Sequence, residues 1–232
     1  MASKPYDLLI WLILALTSVF VSRYSQIDWQ VASYFHGTGT EGFPLRNSPF
    51  WLTAHELTRQ FSGLVWAALL LFTWREWQQN HAIAAQAGSF ILLASLFALA
   101  INGLLKTCSA HSCPWSLTAF GGSAEFFRML DPVPLNAGQG GCLPSGHAAV
   151  GFMWWPVVYA CARWRPSFTT LAFAAVMSFG AICGVIQIVR GAHFVSHVLM
   201  TSAVTGACSS LAFHLLQRTH PAQRSATPTQ LT

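Results

Sequence analysis

"GCLPSGHAAVGFMWW", residues 141–155, places a proline, a serine, a glycine and a histidine directly before a run of apolar and aromatic residues. Pro-Ser-Gly is typical of a turn, and the residues after it have the composition of a helix that enters a membrane. The whole chain supports this interpretation, because 53% of its residues are hydrophobic and only 8% are charged. Soluble domains carry about a quarter charged residues. The sequence therefore predicts an integral membrane protein.

Stretches without Asp, Glu, Lys or Arg predict the spanning segments, because a charge at the bilayer centre costs about 2.5 to 3.5 kcal/mol. Six such stretches lie at residues 8–22, 60–74, 78–105, 132–162, 166–189 and 191–217. A spanning helix needs about 20 mostly apolar residues, so the first two are short. The first also resembles a signal peptide after Lys4, although no A-x-A cleavage site follows it. We expect an all-α polytopic bundle of about six transmembrane helices.

Basic residues in short loops predict the orientation of the chain. In a six-span topology more of them lie on one side, which we assign to the cytoplasm. The other side then holds outer loops at about residues 23–59 and 107–146, so the site that begins with "PSGH" faces outward. We expect residues 1–217 to form a single membrane domain and residues 218–232 to form a disordered cytoplasmic tail. The short loops favour a bacterial inner membrane, with the outer side in the periplasm.

The net charge of +5 raises the question of an anionic partner. The basic residues are scattered over the loops and form no dense run, so the sequence does not indicate nucleic-acid binding. Anionic lipid is the expected partner. The sequence does not predict the oligomeric state.

The six cysteines fall into two groups. Three lie within predicted spans, where a small buried apolar residue is the default interpretation, and three lie in or beside the second outer loop: Cys108, Cys113 and Cys142. An oxidising compartment would allow one disulfide there, and we favour Cys113 with Cys142. A zinc site at Cys108, His111 and Cys113 is the alternative, although no second C-x-x-C pair supports it. We expect no metal and no cofactor.

Three polar segments adjoin predicted helix ends on the outer side: "LLKTCSAHSCPW" (104–115), "LPSGHAAV" (143–150) and "VRGAHFVSHVL" (189–199). A bundle would bring these ends together. Phosphoryl transfer is catalysed mainly by positioning, positive charge and N–H donors. The segments supply such groups in Lys106, Ser145, the backbone N–H of Gly146, and Arg190. Glycine also lets the backbone approach a ligand closely.

His147 and His193 complete the predicted site. A neutral imidazole can act as a nucleophile or a general base, and a protonated one can donate a proton to a leaving alkoxide. Each motif alone also has a structural interpretation. Ser145 can cap a helix, Lys106 can anchor a helix at the interface, and Arg190 can extend to the membrane surface. Their occurrence together on one side favours a phosphate site that uses no metal.

Together the three segments resemble the type 2 phosphatidic acid phosphatase family, whose membrane members are six-helix lipid phosphate phosphatases. The family pattern is a Lys, six residues and Arg-Pro, then P-S-G-H, then Ser-Arg, five residues, His, three residues and Asp. "PSGH" is complete at residues 144–147, and Lys106 and Pro114 match the first motif. His193 matches the third motif, with Gly191 in the family's frequent Gly-x-His.

The chain departs from the pattern at three places. Cys113 replaces the Arg of the first motif, Gln187 replaces the Arg of the third, and His197 replaces the Asp. We expect Arg190, one helical turn before His193, to supply the charge that is lost at Gln187.

The resemblance implies a two-step mechanism. His193 would attack phosphorus to form a phosphohistidine, and His147 would protonate the leaving group and then activate water. Four groups would hold the phosphate oxygens: Lys106, Ser145, Gly146 and Arg190. In the family an Asp orients the nucleophilic imidazole, so His197 must accept that hydrogen bond or leave the task to another residue. The candidate supporting carboxylates are Glu56 and Asp131.

Three functions remain open from the sequence. The first is hydrolysis of a lipid phosphate or diphosphate on the outer side of the membrane. The second is transfer of the phosphoryl group from the same histidine to another lipid. The third is non-catalytic binding of a lipid phosphate. The sequence does not identify the lipid.

Overall fold

The computed structural model describes residues 6–38 and 42–219, and within these ranges the regular secondary structure is helical. The α-helices are α1 (Tyr6–Tyr24), α2 (Ile27–His36), α3 (Pro49–Gln78), α4 (Ala82–Thr107), α5 (Gly146–Phe152), α6 (Trp155–Trp164), α7 (Thr169–Val189) and α8 (Val195–Thr219). Short 3₁₀ helices lie at Pro114–Ser116, Thr118–Phe120 and Pro166–Phe168. The described residues form no β-strand, so the predicted all-α class is confirmed.

Four segments are long and apolar enough to cross a membrane: Asp7–Tyr24, Ala82–Thr107, Pro166–Val189 and Val195–Thr219. They correspond to the first, third, fifth and sixth predicted spans, and the polytopic membrane fold is confirmed. The second predicted span lies inside α3. This helix has 30 residues, but it also carries Glu56, Arg59, Arg75 and Glu76.

The fourth predicted span, residues 132–162, is not a continuous helix. Residues 132–145 form loop, α5 has seven residues, and α6 begins at Trp155 with Pro156 in its first turn. Proline is accommodated in a first turn but not in a helix interior. The stretch is free of charge, but its glycines and prolines prevent a single helix. The prediction over this stretch was therefore wrong in its secondary structure.

One of the two predicted outer loops agrees with the irregular segments of the structure, and the other does not. The second one matches the irregular segment between α4 and α5, whereas residues 23–59 include all of α2 and the first eleven residues of α3. Pro49 starts α3 after Ser48, a position where proline favours a helix. At the other end of the chain, α8 continues to Thr219, so the tail predicted from residue 218 starts too early. The rest of that prediction, residues 220–232, lies outside the described residues, and the single-domain prediction stays a prediction.

Helix α8 packs against α1 and α4 through small residues. Lipid supplies no hydrophobic force between helices, so close packing of small side chains stabilises such contacts. A Cβ on Gly206 would lie 2.5 Å from ring atoms of Trp11 in α1. The buried hydroxyls of Thr201 and Thr205 are satisfied within α8, because each donates to the carbonyl four residues earlier, at 2.7 and 2.8 Å. This packing fixes the start of α8, next to the turn that carries His193.

Candidate active site

The three polar segments meet at one end of the bundle. Lys106 lies in the last turn of α4, His147 in the first turn of α5, and His193 in the turn between α7 and α8. The Lys106 side chain passes beside the "PSGH" loop: a Cβ on Gly146 would lie 3.4 Å from Lys106 Cε, and Lys106 Nζ donates to the carbonyl of Gly141. The sequence predicts this convergence, and the described residues show it.

Ser145 is held from several sides and is fully buried. Its N–H donates to Thr201 Oγ1 on α8 at 2.7 Å, and its carbonyl accepts from Asn102 Nδ2 on α4 at 3.4 Å. Its hydroxyl oxygen accepts from the N–H of Ala148 at 3.3 Å, so Ser145 caps α5. The cap uses a lone pair and leaves the hydroxyl proton free to be donated. The capping and phosphate-binding interpretations are therefore compatible.

His193 is buried, and one of its ring nitrogens has a defined partner. Nδ1 lies 2.8 Å from the main-chain carbonyl of Cys142. A carbonyl oxygen only accepts, so Nδ1 carries the proton and Nε2 has the lone pair. Burial lowers the pKa of His193 to about 3, and the positive charge of Lys106 acts in the same direction. The imidazole is thus neutral at physiological pH.

His147 contacts two residues of α3 that the sequence does not single out. Thr58 Oγ1 lies 3.1 Å from His147 Nε2, and Thr58 donates its own proton to the carbonyl of Ala54 at 2.8 Å. The ring of His55 stacks on the ring of His147, with centroids 3.9 Å apart and planes inclined by 23°. Residues 55 and 58 are neighbours on one helix face. The sequence predicts residues 23–59 to be loop, so it does not predict that residues 55 and 58 share a helix face.

Arg190 follows the last residue of α7 and lies close enough to His55 and His147 to affect both electrostatically. Its Nε donates to the carbonyl of Arg46 at 3.0 Å, and the Arg46 guanidinium lies 4.1 Å from the Trp115 ring centroid. The expected proximity of Arg190 to the histidines is present. The predicted helical relation to His193 is not, because α7 ends at Val189 and the chain turns at Gly191.

Cys113 and Cys142 form a disulfide with Cα atoms 5.2 Å apart, as favoured from the sequence. Cys113 is therefore not a thiolate ligand, which removes one member of the alternative zinc set. Cys108 is a free, exposed thiol. Within residues 6–38 and 42–219, no group of three or more His, Cys, Asp or Glu residues could hold a metal ion.

A family model described as the PAP2 superfamily matches residues 87–221, which is more than half of the chain. The chain belongs to this superfamily. This confirms the predicted membership of the type 2 phosphatidic acid phosphatase family.

A solved structure has a fold similar to that of this PAP2 protein. It is the crystal structure of the first transmembrane PAP2 type phosphatidylglycerolphosphate phosphatase from Bacillus subtilis, with a TM-score of 0.59 and 17% sequence identity. The match covers 95% of this chain and 99% of the other. At this identity the likeness shows a common fold. No curated protein matches the sequence.

Two of the departures from the PAP2 pattern lie at buried positions. Gln187 on α7 is 4% exposed, and its Nε2 has no hydrogen-bond partner among the described residues. His197 in the first turn of α8 is 3% exposed, and its ring centroid lies 5.9 Å from that of His193. The hydrogen bond from His193 Nδ1 goes to Cys142 instead. Among the described residues, the hydrogen-bond partner of Nδ1 is therefore a main-chain carbonyl and not a carboxylate.

The candidate carboxylates of this PAP2 protein have other partners. Glu56 accepts from Arg59 and Gln60 on the exposed side of α3, at 2.7 and 2.8 Å. Asp131 pairs with Arg23 in a partly exposed contact. Neither carboxylate has a hydrogen bond to a histidine among the described residues, so the idea that one of them orients His193 receives no support from the geometry.

A third carboxylate, Asp28, contacts the start of α8, three positions after His193 in the sequence. It is 4% exposed on α2 and accepts from the N–H of Ser196 at 2.9 Å and from its hydroxyl at 2.5 Å. Asp28 therefore caps α8 three residues after His193. The sequence gives no signal for this contact, since the two partners are separated by 168 positions.

Proposed function

We propose that this PAP2 protein hydrolyses a lipid phosphate or diphosphate through a phosphohistidine on His193. One observation carries the proposal: the Nδ1 hydrogen bond to Cys142 leaves Nε2 of a neutral imidazole as the nucleophile. The charge of Lys106 acts on the same ring, and the Lys106 side chain passes beside the "PSGH" loop.

The phosphate oxygens would be held by donors from three elements. Lys106 and Arg190 supply charge, Ser145 supplies its hydroxyl proton, and the N–H of Gly146 has no acceptor within its own helix. Gln187 is a further donor, because its amide nitrogen is buried and lacks a partner among the described residues. An amide would then replace the Arg that the PAP2 pattern has at this position.

The reaction would proceed in two steps. Nε2 of His193 attacks phosphorus, a P–N bond forms, and the P–O bond to the lipid breaks while His147 donates a proton to the leaving oxygen. Burial lowers the pKa of His147 to about 3, so the negative charge of the bound phosphate must raise this pKa before His147 can act as the acid. Water then attacks phosphorus, a new P–O bond forms, and the P–N bond to His193 breaks, while His147 takes a proton from the water and phosphate leaves. Thr58 and His55 hold the His147 ring in place during both steps.

The substrate class follows from the position of the site at the ends of spanning helices. The phosphate of a lipid headgroup lies at the membrane surface, where the spanning helices end. The lipid therefore reaches the site without leaving the membrane. We assign the site to the periplasmic side of a bacterial inner membrane, because six basic residues lie on the opposite side and four lie in the outer loops, apart from Lys106 and Arg190 of the site itself. The donors named above hold phosphate with protein groups alone, so we expect activity without a metal.

The test is phosphate release by the purified protein in detergent. Substrates would be phosphatidic acid, phosphatidylglycerol phosphate, undecaprenyl diphosphate and lipid A phosphate, each with EDTA present. We expect release by the wild type, none by His193→Ala, and normal release by His81→Ala. His81 is a matched control, since it pairs with Glu76 at the other end of α3.

Other results of this assay would each contradict a defined part of the proposal. Release by His193→Ala at the wild-type rate would remove His193 as the nucleophile. If the substrate lipid loses its phosphate only when a second lipid is added, the protein is a phosphotransferase. If it binds lipid phosphate without turnover, it is a binding protein. Loss of activity with EDTA that Mg²⁺ restores would contradict the metal-free mechanism.

A further inference from the structure

The turn that carries His193 is held at two points by the second outer loop. The N–H of Trp115 donates to the carbonyl of Gly191 at 3.0 Å. Nδ1 of His193 donates to the carbonyl of Cys142 at 2.8 Å. The disulfide between Cys113 and Cys142 joins the two holding segments. Together these contacts close a ring around residues 191–193, which we call the clamp.

The N–H groups of Gly191 and Ala192 also donate to carbonyls of α7, at Ile188 and Gln187, so the clamp adds to bonds that the turn makes itself. Gly191 has φ of +70°, a conformation that side chains rarely adopt, and a Cβ there would overlap the ring of Phe43. His193 has no carboxylate partner among the described residues, so the tautomer and orientation of its ring depend on the Cys142 carbonyl. Partners of this kind fix ring orientation at metal-bound histidines, where their loss costs about 10-fold to 100-fold in affinity or activity, and we expect a similar effect on the orientation of His193.

The disulfide adds a covalent link that the backbone hydrogen bonds of this loop do not make. Residues 141 and 142 already donate to the carbonyls of Ser109 and His111, at 2.7 and 2.9 Å. Those bonds hold Cys142 to the chain before Cys113 but not to Trp115, which makes the other contact to the turn. The disulfide makes the two contacts to the turn one covalent unit. Cys113 also occupies the position of the first-motif Arg in the PAP2 pattern.

We propose that Cys113 and Cys142 are positioning residues for His193, and that full activity of this protein requires their disulfide. The inference rests on the proposed function, since it assumes that His193 is the nucleophile. It also places the working enzyme in a compartment where a disulfide persists, such as the periplasm.

The first experiment compares Cys113→Ser/Cys142→Ser with Cys108→Ser, which removes a free thiol from the same loop. The measured quantities are kcat and KM on the most rapidly hydrolysed lipid of the panel, and the inhibition constant for orthovanadate. We expect kcat of the double variant to fall about 10-fold or more, because ring orientation is lost. We expect KM and vanadate inhibition to change less than about 3-fold, because the phosphate-binding groups remain. Cys108→Ser should match the wild type.

The second experiment separates positioning from general destabilisation. Reduction of the wild type by tris(2-carboxyethyl)phosphine breaks the S–S bond and gives two thiols, while the phosphine takes an oxygen from water to become the phosphine oxide. Activity should fall in parallel with the appearance of two thiols per chain and return on reoxidation. The double variant should be insensitive to the reductant. Its phosphohistidine, trapped by rapid quench with ³²P-labelled lipid, should form more slowly than that of the wild type.

These measurements can overturn the inference independently of the proposed function. Equal kcat in the wild type and the double variant, with a phosphohistidine in both, would refute the clamp and retain the nucleophile. If KM rises and vanadate binding weakens by the same factor as kcat falls, the whole site has collapsed. That result would also refute a positioning role. Absence of any phosphohistidine in an active wild type would refute the proposed function first, and the clamp with it.

Discussion

Asp28 on α2 accepts two hydrogen bonds from Ser196 on α8, from the N–H at 2.9 Å and from the hydroxyl at 2.5 Å. This contact caps α8 at the point where the turn of His193 ends. We expect Asp28→Ala to lower the free energy of unfolding by about 2 kcal/mol, because the cap is lost and buried donors remain without an acceptor. The measurement is thermal unfolding in detergent together with kcat. Asp131→Ala, which removes a partly exposed ion pair with Arg23, should have a smaller effect. An equal effect of both variants would contradict the capping role.

Gly191 should be intolerant of a side chain. In Gly191→Ala the new Cβ meets the Phe43 ring and the residue keeps an unfavourable positive φ. We expect kcat to fall about 10-fold or more, since the turn must shift and take His193 with it. Gly103→Ala is the matched control, because a Cβ there meets nothing within 4 Å. In Gly191→Ala/Phe43→Ala the steric clash is removed, and we expect only part of the activity to return, because the φ strain remains. Full activity of the single variant would contradict the need for this turn.

Thr58 should contribute to catalysis through His147. Thr58→Val keeps the shape of the side chain and removes the hydroxyl that lies 3.1 Å from His147 Nε2. We expect kcat to fall about 10-fold with little change in KM, because the proton donor loses its orientation. Thr53→Val changes an exposed residue of the same helix and should have no effect. A wild-type rate for Thr58→Val would show that the contact is not used in the reaction.

The sequence predicts the membrane class and the meeting of Lys106, "PSGH" and His193 because these depend on composition and on which helix ends share a side. Absence of charge marks what a membrane tolerates, but it does not distinguish a helix from a Gly- and Pro-rich loop. For this reason the sequence predicts residues 132–145 to be part of a span, whereas they form a loop. The same limit applies to residues 49–59, where polar residues indicate a loop although Pro49 starts a helix.

The supporting contacts of the site could not be predicted, and the reason is physical. The Cys142 acceptor of His193 is a main-chain carbonyl, which every residue possesses, so no side-chain pattern can mark it. The cap at Asp28 and the stack of His55 on His147 depend on how distant helices pack. Such contacts arise from the tertiary fold.

We expect the reaction to require the planar guanidinium of Arg190 as well as its charge. Its guanidinium is held by the Arg46 carbonyl at 3.0 Å, and lysine offers a point charge without the planar arrangement of donors. We expect Arg190→Lys to reduce kcat/KM about 10-fold or more in the phosphate-release assay. Arg165→Lys, at the other end of the bundle after α6, is the control and should be neutral. An unaffected rate in Arg190→Lys would remove this residue from the site.

The pKa of His193 predicts how stability depends on pH. The unfolded chain binds a proton on this ring near the usual value of about 6.5, whereas burial lowers the pKa in the folded protein to about 3. Between these values the unfolded chain binds more protons, so the contribution of His193 to stability is complete above pH about 6.5 and decreases as the pH falls towards 3.

His193→Asn removes this titration and keeps a side-chain donor for the Cys142 carbonyl. We expect the Tm of the wild type, measured in detergent from about pH 8 to about pH 5, to fall more steeply on the acid side than that of the variant. The other histidines are present in both proteins, so the difference between the two curves reports on His193 together with its electrostatic effect on His147 and His197. Parallel curves would mean that His193 titrates alike in the folded and unfolded chains, and the neutral imidazole that the mechanism requires would then lose its basis.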